Sequence, residues 1–192
     1  MHLDRYHNNR FAHTLLGLLS LLMEQPAASP RSQLVDAAIA ELPGLAVHRE
    51  VLLESPSIAG AEHSIILSLS GSFAPVHRNH LRMLAAAAQL LRSPPHNRRV
   101  LSAMLMPSHQ SAITRKFGSF PLSSEQRLEM IEAAVAARPR EFFCDAALLN
   151  ASTNIGAAQR SRRLLAVLEP LGVRLMPASV DCRKRDCSCR ER

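Results

Sequence analysis

Residues 64–83 read SIILSLSGSFAPVHRNHLRM, in which a short apolar run is followed by a glycine, a proline and a helical pattern. The apolar run at 64–70 is typical of a strand that is buried in a parallel sheet. Gly71 is expected to let the backbone turn sharply, and Pro75 to end the regular pairing. The pattern from about residue 79 to residue 91 places four apolar residues on one helical face: Leu81, Leu84, Ala88 and Leu91. The stretch therefore predicts a strand, a turn and a helix in succession.

Two histidines, His77 and His80, fall at the predicted start of this helix. Backbone N–H groups without helical partners and the positive end of the helix dipole favour an anion at such a place. Two imidazoles can add hydrogen bonds to phosphate oxygens. The pair is therefore predicted to bind phosphate, the alternative being two exposed or structurally satisfied histidines.

A second apolar run, at residues 99–107, predicts the next buried strand. A strand, a helix and a strand in succession imply a right-handed parallel crossover. The sequence then predicts a polar, basic loop that contains Arg115, Lys116 and Gly118.

Further elements are predicted beyond this loop. A helix is expected over residues 122–131, with Ser123 or Ser124 as its cap. Other patterns indicate a third strand at 141–145, a helix at 156–168 and the start of a fourth strand at 172–176.

The glycine, proline and histidine motif is similar to the nucleotide-binding signature Gly-x-Phe-x-Pro-x-His-x-Gly-His of the HxGH nucleotidyltransferases, which are related to class I aminoacyl-tRNA synthetases. Within that superfamily, GSFAP followed by HLRM most resembles the eukaryotic type of nicotinamide mononucleotide (NMN) adenylyltransferase. The resemblance implies an α/β fold, a Rossmann-like three-layer parallel sheet. It also implies that the NMN phosphate attacks the α-phosphate of ATP, with Mg²⁺ assisting, to give NAD and pyrophosphate without a protein nucleophile.

The resemblance also implies roles for individual residues. His77 and His80 match the two catalytic histidines, although Asn79 stands where much of the superfamily has glycine. Lys116, or Arg115 in its place, matches a phosphate-contacting lysine. The remaining expected nucleotide-binding residues are Gly71, Ser72 and Phe73 in the first loop and Arg127, which is expected to face the ligand side.

Two departures from the family pattern limit these implications. The chain has no tryptophan, and Asp145 and Asn150 occupy the neighbourhood of a Trp-Glu pair that contacts the nicotinamide side. After residue 176 the C-terminal part of the family pattern is missing, so the expected fold is incomplete there. A catalytically impaired, nucleotide-binding interaction protein therefore stands as the alternative to an enzyme, and other adenylyl- or cytidylyltransferases as rivals within the enzyme class.

Length and composition suit one compact domain, because 192 residues, 47% of them hydrophobic and 20% charged, can bury a sizeable core. We expect a helical N-terminal extension at 1–62, a nucleotidyltransferase-like Rossmann domain at 63–176 and a basic tail at 177–192. The apolar run at 15–22 is too short to span a bilayer, and a helix that packs on the domain is preferred there over a targeting segment. A second helical pattern begins at Ser29.

The net charge of +7 raises the question of a nucleic-acid partner. The arginines are scattered, however, and aromatic residues make up only 4% of the chain, so no platform for stacking bases is evident. A surface that attracts anionic nucleotides explains the charge as well. We therefore expect ATP and NMN, or a related mononucleotide, as partners, with neither nucleic acid nor membrane, and leave a homo-oligomer open.

The cysteines are read as thiols and not as metal ligands. Cys182, Cys187 and Cys189 lack a suitably spaced fourth ligand, so no metal site is predicted. Free thiols fit a reducing compartment, which favours an intracellular location in the cytoplasm or nucleus and leaves an organellar address open. Cys144 is expected to be a small core residue.

Overall fold

The computed structural model describes residues 28–54, 63–150 and 156–178. The chain divides into two compact units, Met1–Gln33 and Leu34–Arg192. In the first unit, the Ser29 side chain accepts a hydrogen bond of 3.1 Å from the Ser32 N–H group, so a helix begins here as predicted. The apolar run at 15–22 and the three cysteines of the tail lie outside the described residues.

Four parallel strands form one sheet in the order β3-β2-β1-β4. The strands are β1 (Ser64–Gly71), β2 (Val100–Pro107), β3 (Phe142–Cys144) and β4 (Val173–Pro177). The helices are α1 (Pro30–Glu41), α2 (Arg49–Glu54), α3 (Arg78–Arg92), α4 (Gln110–Phe117), α5 (Ser124–Ala136), α6 (Ala147–Asn150) and α7 (Ala157–Leu168). Short 3-10 helices lie at Pro43–His48 and Glu169–Leu171. The predicted parallel, Rossmann-like α/β fold is confirmed.

Helices cover both faces of the sheet, because each face carries its own apolar core. Strand β2 is buried at all eight positions, as a central parallel strand should be. One core joins β1 and β2 to α1, α2 and α7 through Val35, Leu42, Leu52, Ile66, Met104 and Leu164. The other joins them to α3 and α5 through Leu67, Leu84, Leu105, Ile131 and Val135. Residues 34–54, expected as part of a helical extension, thus supply part of the first core.

The strand order decides where a ligand can bind. Strands β2 and β3 extend the sheet on one side of β1, whereas β4 pairs with β1 on its other side. In open parallel sheets such a reversal opens a crevice at the carboxyl ends of the strands, and ligands bind there. The loop after β1, which carries the histidine motif, leaves the sheet at this point.

Two local predictions are wrong. Residues 110–117 form helix α4 and not a loop, because His109 caps the helix, Ile113 is buried and Gly118 ends it with a φ of 73°. Gly71 is the last residue of β1, paired with Pro107, and does not turn the chain. The left-handed residue in that loop is Phe73, whose φ is 43°.

Candidate functional site

The loops that follow β1 and β2 leave the sheet side by side. Gly71 lies opposite Pro107 in the parallel register, and the Ser108 N–H group donates a hydrogen bond of 2.8 Å to the Gly71 carbonyl. The first loop leads to His77, which caps α3, and the second leads to His109, which caps α4. The starts of two helices therefore lie at the same edge of the sheet.

The two predicted histidines contact each other at the start of α3. The His77 N–H group donates a hydrogen bond of 3.2 Å to Nδ1 of His80, and the two rings stack with centroids 3.8 Å apart. Because Nδ1 accepts, a neutral His80 carries its proton on Nε2, which is then a hydrogen-bond donor. The ring of Phe73 packs edge-on against His80, with centroids 5.0 Å apart, and fixes its orientation.

The protonation of His80 follows from its surroundings. His77 is exposed, whereas His80 is partly buried. Burial, and after it the neighbouring His77 imidazole, lowers the pKa of His80 below the ordinary value of histidine. His80 is therefore mainly neutral at pH 7 and offers a donor without a formal charge.

The first loop is anchored by its aromatic residue. Phe73 is buried in the core beneath α3 and adopts a left-handed backbone, which costs about 1 kcal/mol for a residue with a Cβ. Burial of the ring offsets this cost. A Cβ at Gly71 would lie 3.5 Å from the Phe73 ring, which is an ordinary contact. Of the three predicted loop residues, Phe73 thus anchors the loop in the core. The backbone carbonyl of the neighbouring Ser72 accepts a hydrogen bond from a buried side chain.

The group that binds this carbonyl is Arg127, and its position corrects the prediction that it faces a ligand. The Arg127 side chain is fully buried. Its Nη1 donates to the Ser72 carbonyl at 2.9 Å and to the Ser108 carbonyl at 3.1 Å, and Nη2 donates to Oε1 of Gln110 at 2.9 Å. Arg127 therefore ties the loops after β1 and β2 together from beneath.

The charge of Arg127 is not neutralised by these contacts. All three acceptors are uncharged oxygens, and Nε is buried without a hydrogen-bond partner. Burial lowers the pKa of Arg127, but an arginine stays protonated at neutral pH. A buried positive charge consequently lies beneath the loops that carry the histidines.

Arg115 and Lys116 lie in the last turn of α4, and both are exposed. The Lys116 Nζ atom lies 4.9 Å from the centre of the Phe117 ring. A helix rises about 1.5 Å per residue, so these side chains begin roughly 10 Å along α4 from its cap at His109. Their predicted contact with phosphate stays a prediction.

A cavity of about 670 Å³ lies at the crevice between β1 and β4. Its wall includes the carboxyl ends of these strands, the start of α7 and one side chain of α3: Ser70, Leu175, Pro177, Ala157, Ser161 and Met83. Met83 lies three residues after His80 and thus on the same face of α3, so the histidine pair lies about one helical turn from this wall of the cavity. These lining residues have no local signal in the sequence, because the order of the strands does not follow from any local pattern.

Asp145, expected near the substrate, is closed into an ion-pair cluster. Arg160 donates from Nε to Oδ2 of Asp145 at 2.8 Å and from Nη2 to Oδ1 at 2.9 Å, and Asp145 is 4% exposed. Arg160 also pairs with Glu41, which accepts from Arg163 as well. The cluster fixes the first turn of α7, which lines the cavity. It also leaves the Asp145 carboxylate too enclosed to bind a ligand. The side chain of Asn150 lies outside the described residues.

Two further observations concern metals and membranes. The described ranges contain no group of three or more histidine, cysteine, aspartate or glutamate residues that could hold a metal ion. None of the helices in those ranges is long and apolar enough to cross a membrane.

Residues 69–168 match the model of the cytidylyltransferase-like family. This range is slightly more than half of the 192 residues and holds both predicted histidines, Arg127 and helix α7. No curated protein matches the chain.

Proposed function

Because the chain belongs to the cytidylyltransferase-like family of nucleotidyltransferases, we propose that it transfers AMP from ATP to NMN and releases NAD and pyrophosphate. One observation carries the proposal: the stacked pair His77 and His80 stands at the start of α3, beside a cavity at the crevice of the sheet. The choice of NMN rests on the resemblance of GSFAP and HLRM to the eukaryotic NMN adenylyltransferases.

In the proposed reaction a phosphate oxygen of NMN forms a bond to the α-phosphorus of ATP. The bond from that phosphorus to the bridging oxygen breaks, and pyrophosphate leaves with the electron pair. Phosphoryl transfer of this kind needs positioning and charge stabilisation more than covalent help from the protein. His80 Nε2–H, His77 and the start of α3 supply donors to the oxygens on which charge develops.

The cavity is assigned to the nucleoside part of the substrates. Its volume of about 670 Å³ lies within the range of small-molecule sites. Apolar side chains such as Met83, Met106 and Leu175 suit the face of a flat ring, and the Ser70 and Ser161 hydroxyls suit its polar edge. The proximity of Met83 to His80 allows one nucleotide to use both the cavity and the histidines.

Mg²⁺ enters the proposal only as the companion of ATP. The described residues do not form a metal cluster, and no step is assigned to the ion. When bound with the triphosphate, it would supply charge neutralisation.

A second candidate is a nucleotide-binding protein with impaired catalysis. The chain has no tryptophan, and Asp145, which the resemblance to the NMN adenylyltransferases puts in the neighbourhood of the contact with the nicotinamide side, is held by Arg160. These observations favour ATP binding without NMN turnover. Cytidylyltransferases, with CTP as the donor, and pantetheine-phosphate adenylyltransferases, with another acceptor, share the histidine motif and remain rivals.

The test combines binding with turnover on the full chain. Calorimetric titration with ATP and with NMN, in the presence of Mg²⁺, is run beside an assay for NAD. CTP and 4′-phosphopantetheine serve as the rival donor and acceptor. NAD formation supports the proposal, and ATP binding without product supports the second candidate. Product from 4′-phosphopantetheine contradicts the choice of NMN, and product from CTP contradicts the choice of ATP.

A matched pair of variants then assigns the site. His80→Ala should lower turnover by about 10²–10³-fold, the usual cost of removing one donor used in the transition state. His96→Ala is the control, because His96 is exposed in the loop before β2, at the opposite edge of the sheet. Equal activity of both variants would remove His80 from the mechanism.

A further inference from the structure

A second, smaller cavity lies at the amino ends of the strands, which is the edge of the sheet opposite to the histidines. Its volume is about 300 Å³, and no residue lines both this cavity and the larger one between β1 and β4. We call it the amino-edge pocket. Its lining comes from the second half of α3 and from the starts of β2 and β3, and includes Ala88, Arg92, Val100, Ser102, Glu141 and Phe142.

The pocket has room because β3 is shorter than β2. Strand β3 pairs with β2 only from Phe142, which lies opposite Ala103, whereas β2 begins at Val100. In the described part of the chain, no strand pairs with residues 100–102 on that side. Arg92, the last residue of α3, donates instead from Nη2 to the Val100 carbonyl at 2.9 Å. A guanidinium group is thereby held at the margin of the pocket.

A β-bulge brings a serine into the lining of this pocket. The pairing of β1 with β2 passes from Val100 directly to Ser102, so Leu101 is left out of the register. Leu101 packs in the core on the α1 side, whereas the consecutive residues Ser102 and Ala103 both line the pocket. Ser102 is 1% exposed, and its hydroxyl has no hydrogen-bond partner among the described residues. Since a buried hydroxyl without a partner is unfavourable, this group points to a ligand that supplies one.

The pocket combines two opposite charges with an apolar lining. The Arg92 guanidinium has further N–H groups besides the one bound to Val100, and such groups suit a carboxylate. The exposed Glu141 carboxylate accepts from Arg138 at 3.2 Å through Oε2, and its other oxygen is able to accept from an ammonium group. The apolar lining residues are Ala85, Ala88, Val100, Ala103 and Phe142. A matching ligand therefore carries a negative group, a positive group and a small apolar part.

We propose that the amino-edge pocket binds a free α-amino acid with an apolar side chain. The carboxylate of the ligand accepts hydrogen bonds from Arg92 and from the Ser102 hydroxyl, and its ammonium group donates to Glu141. Arg92 and Ser102 serve the same carboxylate, because Arg92 is bonded to Val100, two residues before Ser102. The apolar side chain of the ligand packs against Phe142. The volume of about 300 Å³ is at the lower end of small-molecule sites, which suits a molecule of this size.

The test is a titration of the full chain with L-leucine, followed by two-dimensional NMR of the backbone amides. Two analogues each lack one charge: 4-methylpentanoate has no ammonium group, and 3-methylbutylamine has no carboxylate. We expect leucine to shift the amide signals of Arg92, Ser102 and Phe142 and to leave those of His77 and Ser161 unchanged. Each analogue should bind at least about tenfold more weakly than leucine, because it loses one charge-assisted contact.

Three variants and a control assign the contacts. Ser102→Ala should weaken leucine binding about tenfold, and its unfolding temperature should not fall, because a buried hydroxyl without a partner is removed. Arg92→Gln should weaken the binding of leucine and of 4-methylpentanoate alike. Glu141→Gln should weaken leucine about tenfold and leave 4-methylpentanoate unchanged, because that analogue has no ammonium group. Arg82→Gln, at an exposed position of α3 outside the pocket, is the control and should bind leucine like the original chain.

The absence of shifts with leucine up to about 10 mM, ten times a millimolar dissociation constant, would overturn the inference. So would shifts that centre on the larger cavity, equal affinities for leucine and 4-methylpentanoate, or unchanged leucine affinity in Ser102→Ala. A lower unfolding temperature of Ser102→Ala would show that the hydroxyl serves the fold, and would remove it from the site. None of these measurements involves ATP, NMN or NAD, so their outcome is independent of that of the proposed function.

Discussion

The His77 N–H group donates to Nδ1 of His80 over 3.2 Å while the two rings stack 3.8 Å apart. One contact orients His80, and the other places a second imidazole next to it. The pair therefore controls which nitrogen of His80 carries the proton and how readily the ring becomes charged.

The pKa of His80 should respond to its partner. His77→Ala removes the neighbouring imidazole but keeps the backbone N–H donor, so the pKa should rise. It should stay below the ordinary value, because burial is the larger cause of the lowering. Nuclear magnetic resonance titration of the His80 ring measures both values, and a full return to the ordinary pKa would show that burial is not the main cause.

The lowered pKa of His80 also determines whether stability rises or falls with pH. The unfolded chain takes up a proton at the ordinary pKa of histidine, whereas folded His80 does so only at lower pH. Stability from this group is therefore complete above the unfolded pKa and is lost as the pH falls toward the folded value. In His80→Gln this loss should become smaller, as measured by urea unfolding at pH 7.5 and at pH 5.5.

Arg127→Lys should loosen both loops, because an ammonium group does not reproduce the planar fork of donors that binds Ser72 and Ser108. We expect a loss of about 2–3 kcal/mol in the free energy of unfolding, on the scale of hydrogen bonds to a charged group. Arg82→Lys, at an exposed position of α3, is the control and should change it by less than about 0.5 kcal/mol. Similar stabilities of the two variants would show that Arg127 does not hold the two loops together.

The buried ion pair of Asp145 and Arg160 should matter for folding. Asp145→Asn leaves the buried guanidinium with Glu41 as its remaining carboxylate and should cost about 3 kcal/mol of stability. Glu141→Gln tests an exposed pair with Arg138 and should cost at most about 1 kcal/mol. Urea unfolding compares the two, and a cost for Asp145→Asn no greater than that of Glu141→Gln would show that the cluster contributes little.

The structure leaves no room for a side chain at Gly44. A Cβ at this position would lie 2.5 Å from the Phe143 ring, inside the core on the α1 side of the sheet. Gly44→Ala should therefore destabilise the chain by about 1–3 kcal/mol. Gly156→Ser, at the open cap of α7, has nothing within 4 Å of its added Cβ and should be neutral or slightly stabilising in the same thermal unfolding series.

Cys144 should be unreactive in the folded chain. Burial, and then the nearby Asp145 carboxylate, raises the pKa of its thiol to about 12. Little thiolate therefore forms at pH 8, and thiolate is the reactive species. In a variant with Cys182, Cys187 and Cys189 changed to serine, labelling by iodoacetamide should be slow until denaturant is added; rapid labelling of the folded variant would contradict the assignment.

The sequence by itself determined most of the local elements, with helix α4, expected as a loop, as an exception. The strand and helix around the histidine motif follow from apolar periodicity and were predicted to within one or two residues. A cap of α5 at Ser123 or Ser124 was also readable, and in the structure Ser123 is the cap and exchanges hydrogen bonds with Gln126 within one turn. Such signals depend only on residues a few positions apart.

The tertiary structure alone decided which side chains face a ligand and which are enclosed. Arg127 lies 55 residues from the carbonyl of Ser72 that it binds, and Arg160 lies 119 residues from Glu41. The cavity exists because β4 pairs with β1 and not with β3. A basic side chain has the same local signature whether it is solvated or buried, and only the order of the strands determines which of the two it is.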